Sequence, residues 1–227
     1  MAIKAATSGN DIWTGVYGTG TLDGLGGTDT IDIGTIKKFT LTQNKDGSIL
    51  LVDTYSSASG KSTYTNNITL KNMEILKYNS GNSTVDLTTY FPKVVTFSPE
   101  DGATSAPIDQ PIVLTFNKAI TKGTTGNITI HQDSVTGTVL ETFQAATDKL
   151  LSFSTNTLTI TPKDKLAPNT HYFVTIDTGA VKDTSGNNYI DAASYDFITQ
   201  AVSTNTNTTN HSPVIDSSIS SLTAKEG

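Results

Sequence analysis

Two aspartates near the start of the chain, Asp11 and Asp29, stand 18 residues apart at the same place in a repeated pattern. Residues 6–32 divide into three nonapeptides, ATSGNDIWT, GVYGTGTLD and GLGGTDTID. The fourth residue of each unit is glycine and the eighth is large and apolar: Gly9 and Trp13, Gly18 and Leu22, Gly27 and Ile31. Of the 21 acidic residues 17 are Asp, a bias that favours turns, caps and oxygen ligands for hard cations.

The nonapeptides resemble the RTX repeat GGxGxDxUx, whose short strands wind into a parallel β-roll with two nonapeptides in each turn. The resemblance implies that Asp11 and Asp29 stack on one side of the roll and bind one Ca²⁺ through their carboxylates. It implies further ligands from four backbone carbonyls, those of Ala6, Ser8, Gly24 and Gly26. Gly20 stands where the middle unit would have Asp, so at most one site is expected. A degenerate repeat that only caps a β-domain is the alternative.

The elements that must hold this repeat follow it in the sequence. A β-hairpin with its turn at Asp46-Gly47 is predicted by IKKFTLTQ, NKDG and SILLVDTY. Three β-rich runs come next, YTNNITL, MEILKY and STVDLTTY, and the segment ends near Phe91-Pro92. NMEILKYNSGNSTVDLT resembles the segment that often closes RTX repeats. Residues 1–92 are therefore predicted to combine the repeats with a β-rich closing segment.

Residues 93–199 show the pattern of a second, all-β domain. Eight short runs recur at about the 8 to 12 residue spacing of a two-sheet sandwich: VVTFSP, PIVLTF, NITIHQ, TVLETF, LLSFS, TLTITP, HYFVTID and SYDFIT. SPEDGATSAPIDQPIVLTFNKAI and TLTITPKDKLAPNTHYFVTIDTGAVKDTSGNNY resemble the two halves of the SbsA-type bacterial Ig-like domain. The predicted fold class is thus all-β, a short RTX-like β-roll and β-rich segment followed by an Ig-like β-sandwich of about seven strands.

One short motif in this domain predicts a structural role for Tyr172. Residues 166–172, LAPNTHY, have the form of a tyrosine corner, in which the hydroxyl bonds back to the chain at a turn between sheets. Residues 200–210, QAVSTNTNTTN, carry no charge and almost no apolar surface, which predicts a flexible linker. Residues 211–227 then resemble the first strand of a further, truncated β-domain, so the chain is expected to be a segment of something longer.

Charge and composition exclude several classes of function. All 15 basic residues are Lys and the net charge is −6, so the guanidinium forks that bind phosphate and bases are absent. Nucleic acid is therefore not an expected partner. Membrane insertion is not expected either, because no apolar run approaches the roughly 18 residues of a membrane span. The absence of Cys removes disulfides, thiol catalysis and thiolate metal sites. No Sec-type signal peptide is expected in residues 1–10.

The sequence contains no recognisable catalytic motif. His131, His171 and His211 have neither HxxxH nor HExxH spacing. A nucleophile elbow of the form G-x-S-x-G does not occur. The chain is therefore predicted not to be an enzyme.

Two further binding hypotheses stay open. Asp183 and Asn187 could supply oxygen ligands to a second Ca²⁺, or could turn the chain by bonding its own backbone. Aromatic residues could stack on sugar rings or pack in cores and across strands: Trp13, Tyr17, Tyr55, Tyr64 and Tyr90.

These patterns lead to a functional hypothesis. The resemblances imply a structural spacer segment of a large calcium-dependent bacterial adhesin or surface protein, monomeric and extracellular, exported by type I secretion. Its partners would be cell-surface or matrix glycans and proteins, bound through neighbouring domains. The alternative is a set of accessory modules, with glycan binding among their roles, of a secreted hydrolase.

Overall fold

The structure is a computed structural model that describes residues 6–16, 18–36, 38–56, 63–190 and 194–202, without the side chains of Tyr55 and Ser56. Within these residues the chain forms nineteen β-strands and one four-residue helix. The predicted all-β fold class is confirmed. The predicted linker from residue 203 onward and the predicted truncated domain at 211–227 lie outside the described residues.

The N-terminal half of the structure contains eight strands and the helix: β1 (Ile12–Thr14), β2 (Thr19–Asp23), β3 (Thr30–Asp32), β4 (Phe39–Gln43), β5 (Ile49–Ser56), β6 (Thr63–Lys71), β7 (Ile75–Tyr78), β8 (Ser83–Asp86) and α1 (Leu87–Tyr90). They build two four-stranded sheets, ordered β1-β3-β7-β8 and β2-β6-β5-β4. Consecutive nonapeptides therefore supply strands to opposite sheets. Ile12 pairs with Thr30 in parallel register, so the predicted stacking of residues 18 apart is observed.

The winding of the chain continues beyond the nonapeptides. β6 pairs in parallel with β2, matching Leu70 to Leu22, and β7 pairs in parallel with β3, matching Leu76 to Ile31. The antiparallel hairpin β4–β5 is inserted between these coils, with the predicted turn at Gly47, whose φ of 81° favours glycine. β6 and β7 thus occupy the places that a fourth and fifth repeat would take.

Every second residue of these short strands faces the core, because side chains alternate across a β-strand. The eighth residue of each nonapeptide is buried, with Trp13 at 4%, Leu22 at 1% and Ile31 at 0% exposure. The apolar position of the repeat is therefore the one that fills the core. Gly20, in contrast, is exposed in β2, and a Cβ there would meet nothing within 4 Å.

The C-terminal half is a sandwich of eleven strands: β9 (Val94–Ser98), β10 (Ala103–Ala106), β11 (Ile112–Phe116), β12 (Ile120–Lys122), β13 (Asn127–Gln132), β14 (Val139–Gln144), β15 (Leu151–Ser154), β16 (Thr157–Ile160), β17 (His171–Ile176), β18 (Val181–Asp183) and β19 (Tyr195–Thr199). Its sheets are ordered β10-β19-β17-β13-β14 and β15-β16-β11-β9, with a separate β12-β18 pair. All eight predicted runs form strands. The prediction of about seven strands is too low. β12 and β18 have only three residues each, and β10 buries only its last residue, so these strands lack a recognisable alternating pattern.

Tyr172 anchors one corner of the sandwich. Its side chain is fully buried, and its hydroxyl oxygen accepts a hydrogen bond from the Ala167 backbone N–H at 2.9 Å. Val174 and Ile176 face the core with it, whereas Phe173 is only half-buried. The predicted tyrosine corner is confirmed.

Replacing Tyr172 by Phe should lower the free energy of unfolding by about 1–3 kcal/mol, because the Ala167 N–H loses its acceptor. Urea unfolding of the full chain measures this change. Tyr78→Phe is the matched control, because within the described residues the Tyr78 side chain makes a ring contact with Phe39 and no hydroxyl hydrogen bond. Equal, negligible costs for both variants would show that the corner bond contributes nothing.

Candidate functional site

The loops that precede β1 and β3 lie directly against each other. A Cβ built on Gly27 would lie 2.7 Å from the backbone carbon of Gly9, and the φ of Gly27 is 109°. Only glycine is compatible with both conditions. The same stacking brings Gly26 next to Ser8, because a Cβ on Gly26 would lie 3.9 Å from the carbonyl oxygen of Ser8.

Three carboxylates form a ladder between successive coils. Thr7 donates from its backbone N–H and its hydroxyl to Asp11 Oδ2, at 2.7 and 2.8 Å. The Asp11 N–H donates to Asp29 Oδ1 at 2.8 Å, and the Asp29 N–H donates to Glu74 Oε2 at 2.6 Å. Asp29 and Glu74 in this carboxylate ladder each accept a main-chain hydrogen bond from the coil before, whereas Asp11 accepts the N–H of Thr7 in its own coil.

The carboxylate of Asp29 has an unused oxygen. The residue is fully buried, and its Oδ2 accepts no hydrogen bond from the described part of the chain. A Cβ built on Gly24 would lie 2.5 Å from this oxygen and 2.1 Å from the carbonyl oxygen of Asn72. Both oxygens therefore approach one glycine Cα. A buried, unpaired carboxylate oxygen is costly, and a hard cation bound between these oxygens would offset the cost.

Sequence reasoning missed Asn72 and Glu74, although a signal for them exists. The third coil repeats the spacing of the first and second, with a turn residue, an acid and a buried apolar residue at alternate positions: Gly9-x-Asp11-x-Trp13, Gly27-x-Asp29-x-Ile31 and Asn72-x-Glu74-x-Leu76. Asn72 has a φ of 49°, a conformation that Asn tolerates better than most residues. A search for this looser pattern would have found the third coil.

The predicted calcium ligands fall into separate positions in the structure. Asp29 and Gly24 lie together beside Asn72, and the Gly24 carbonyl also accepts the Gly26 N–H at 3.0 Å. Asp11 is buried as well, but its Oδ2 is already held by Thr7.

The remaining predicted carbonyl ligands lie nearer to solvent, since Ala6 is half-buried and Ser8 is exposed. No group of three or more His, Cys, Asp or Glu side chains able to hold a metal occurs within the described residues. Calcium takes about six to eight oxygen ligands. The residues present therefore fit a calcium ion only with Asp29 as the central carboxylate and backbone carbonyls as most of the remaining ligands.

The loop between β18 and β19 does not favour a second calcium ion. Asp183 Oδ1 accepts the backbone N–H groups of Ser185 and Asn187, both at 2.9 Å. Its Oδ2 accepts hydrogen bonds from Asn187 Nδ2 at 2.9 Å and from Lys118 Nζ at 3.2 Å. Burial raises the pKa of Asp183, but the hydrogen bonds from Asn187 and Lys118 outweigh it and lower the pKa overall. The carboxylate is thus used for turning the chain and for an ion pair.

Lys118 and its neighbours also join the two halves of the structure. The Lys118 ammonium donates to the carbonyl oxygen of Tyr90, the last residue of α1, and lies 5.9 Å from the centre of its ring. Asn187 Nδ2 donates to the same carbonyl at 3.4 Å, and Asn117 Nδ2 donates to the Phe91 carbonyl at 3.3 Å. The terminal carbonyls of a helix lack hydrogen-bond partners within the helix. The side chains of Asn117, Lys118 and Asn187 supply these partners from the sandwich, and we call them the junction clamp.

The aromatic candidates that the structure describes differ in their exposure. Trp13 is 4% exposed and cannot stack on a sugar, which corrects that part of the glycan hypothesis; its neighbours in the core leave no open ring face. Tyr64 is exposed and Tyr90 half-buried. Tyr17 and the side chain of Tyr55 lie outside the described residues.

The two histidines that the structure describes have different partners. His131 lies near Thr175 Oγ1 at 3.2 Å, and His171 pairs with Asp196 at 2.6 Å. His211 lies outside the described residues.

Comparisons with known proteins support the C-terminal half. Residues 88–199 match the family model described as bacterial Ig-like domain, so the predicted Ig-like part is confirmed. No curated protein matches the chain. A solved structure with some likeness is the crystal structure of CopC from Methylosinus trichosporium OB3b, with 18% identity and a TM-score of 0.38 over 49% of this chain and 95% of that chain. A helix long and apolar enough to cross a membrane is not found among the described residues.

Calcium binding should depend on the charge of Asp29. Isothermal titration calorimetry of the wild type is expected to give one ion with a Kd of about 10⁻⁴ to 10⁻³ M, the class of extracellular modules. Asp29→Asn keeps an acceptor for the Asp11 N–H but removes the charge, and should abolish binding without unfolding the chain. Asp11→Ala should weaken binding.

Gly20→Asp is the control for the calorimetry, since this exposed position has no second carboxylate one coil away and should gain no site. Equal heats for the wild type and all three variants would show that the repeats have lost their metal.

Acid should remove the contribution of Asp183 to stability. A carboxyl group with a lowered pKa stabilises the fold fully above its ordinary pKa, about 4, and loses this contribution as the pH falls through the folded-state value. Asp183→Asn should therefore cost about 1–3 kcal/mol at neutral pH and progressively less in acid, measured by urea unfolding. Asp109→Asn, in an exposed pair with Lys165, should cost almost nothing. A cost for Asp183→Asn that does not depend on pH would contradict this account.

Proposed function

We propose that this chain is a structural spacer segment of a large extracellular, calcium-dependent bacterial adhesin or surface protein, and that it has no catalytic role of its own. The observation that carries the proposal is the junction between the two halves. The hydrophobic core of the N-terminal half ends at Phe91 and that of the sandwich begins at Val94. Buried Pro92 and exposed Lys93 alone separate these residues, which leaves no room for a flexible hinge.

The contacts around the junction clamp support a stiff connection. Lys93 and Asn117 exchange two hydrogen bonds, from the Lys93 N–H to Asn117 Oδ1 and from the Asn117 N–H to the Lys93 carbonyl, both at 2.9 Å. The ion pair of Lys118 with Asp183 is largely buried, with side-chain exposures of 29% and 2%. Breaking a buried ion pair by removing one partner is strongly destabilising. A spacer needs this stiffness because it must hold its neighbouring domains at a fixed separation.

Calcium would add stiffness to the N-terminal half in this proposal. The unpaired oxygen of buried Asp29 is the ligand that supports it. Weak calcium sites suit an extracellular protein, because calcium is abundant there and scarce inside cells. A monomeric segment exported by type I secretion, with its ligands bound by neighbouring domains, completes the proposed role.

The proposal is tested by the tumbling of the two halves in solution. In the wild type with calcium, ¹⁵N relaxation should give both halves one rotational correlation time. Lys118→Met removes the cation of the junction clamp while keeping its aliphatic length, and should give two different correlation times. Lys165→Met, in an exposed ion pair, should leave the single value unchanged. Independent tumbling of the halves in the wild type would overturn the spacer proposal.

A further inference from the structure

The sheet β2-β6-β5-β4 has an open edge at β4, the first strand of the inserted hairpin. Within the described residues, β5 is the only strand that pairs with β4. An unpaired edge presents backbone N–H and C=O groups that can bind a strand of another chain. Register shifts interrupt the edge strands β9, β10 and β14, a device that discourages such pairing. β4 lacks this protection, because all five of its residues pair with β5 in one continuous register.

Alternate residues of β4 direct their main-chain groups towards the open edge. The Asn44 N–H donates to the Ser48 carbonyl at 2.8 Å, so these two residues form a hydrogen-bonded pair of the hairpin. Hydrogen-bonded and non-hydrogen-bonded pairs alternate along an antiparallel ladder. The even-numbered residues of β4 therefore bond to β5. The odd-numbered residues Phe39, Leu41 and Gln43 point their N–H and C=O groups away from β5, and these groups line the open edge.

The sequence of β4, FTLTQ, reads nearly the same in both directions. A second β4 placed antiparallel about a two-fold axis at Leu41 pairs Leu41 with its own copy and Phe39 with Gln43 of the second copy. Each N–H of the open edge then meets a C=O of the other strand. Thr40 lies opposite Thr42 of the second copy, and both side chains are exposed. Such cross-strand threonine pairs stabilise a sheet.

Charge and burial agree with this two-fold register. β4 contains no charged residue, and Lys38, just before it, would lie opposite Asn44 of the second copy. No like charges therefore meet along the paired strands. Leu41 is buried on the inner face, and the register places Leu41 of both copies on that same face. We propose that β4 binds β4 of a second copy of this chain, which joins two four-stranded sheets into one continuous sheet.

The association is weak, because a solvent-exposed strand pair gains little beyond the cost of bringing two chains together. The segment therefore stays monomeric in dilute solution, in keeping with the proposed spacer. Copies anchored side by side on one surface reach effective concentrations of about millimolar, and the strand pairing holds them together there. This role goes beyond that of a spacer and requires no calcium.

The test is sedimentation equilibrium from micromolar to millimolar chain, in calcium and in EDTA, with amide hydrogen exchange measured by NMR at both ends of the range. The wild type should be monomeric at the lower end and dimeric at the upper end, equally in both buffers. The N–H groups of Phe39, Leu41 and Gln43 should exchange rapidly in the monomer and slowly in the dimer.

Charge substitutions at the threonine pairs test the register. Thr40→Lys combined with Thr42→Lys puts two ammonium groups opposite each other at both pairs and should abolish dimerisation. Thr40→Lys combined with Thr42→Glu puts opposite charges there and should tighten dimerisation about tenfold. Thr142→Lys combined with Gln144→Lys is the matched control and should change nothing, because these exposed residues lie on the interrupted edge strand β14.

Three results would each overturn the proposal. The first is a wild type that stays monomeric at millimolar concentration. The second is dimerisation that ignores the charge substitutions, with both β4 variants behaving like the wild type. The third is slow exchange of the three edge N–H groups already in the monomer, because another part of the same chain would then cover β4.

Discussion

The N-terminal half depends on burying carboxylates between stacked coils. Parallel strands only three or four residues long cannot supply enough main-chain bonds to hold the coils in register. Asp29 and Glu74 therefore extend the ladder by accepting the backbone N–H of the coil before, and Asp11 accepts the N–H of Thr7 in its own coil. The arrangement concentrates negative charge where water is excluded, which is costly without a cation or further donors. Gly24 and Gly27 are required by the same stacking, because a Cβ at either would collide with a neighbouring coil.

The carboxylate ladder is continuous with the junction between the halves. Glu74 accepts the Asp29 N–H with its side chain, and its own carbonyl accepts the N–H of Leu87, the first residue of α1, at 2.7 Å. The helix ends at Tyr90 because Phe91 precedes Pro92 and is held extended. The Tyr90 carbonyl is bound in turn by Lys118 of the sandwich. Hydrogen bonds at both ends of α1 therefore connect Asp29 with the ion pair of Lys118 and Asp183.

Much of this fold was predictable from local patterns. The nonapeptide period marked Trp13, Leu22 and Ile31 as large apolar residues at one repeated position. The motif around Tyr172 predicted the hydrogen bond from the Ala167 N–H to its hydroxyl, because both residues lie in one short turn. What could not be predicted depends on contacts between distant residues. The pairing of β2 with β6 and of β3 with β7 was hidden by the inserted hairpin, so Asn72 and Glu74 were missed. The junction clamp joins Tyr90 to Lys118 and Asn187, and no periodicity connects such residues. Likewise, the unused oxygen of Asp29 becomes apparent only when the donors of the described residues are placed.

The central claim is that the unpaired oxygen of Asp29 is held by calcium in the working protein. A crystal structure grown with about 1 mM Ca²⁺, the extracellular range, and recorded at a wavelength where calcium scatters anomalously tests this most directly. The account predicts one anomalous peak about 2.3–2.6 Å from both Asp29 Oδ2 and the Asn72 carbonyl oxygen. A water molecule bridging these two oxygens, with no anomalous peak, would contradict it.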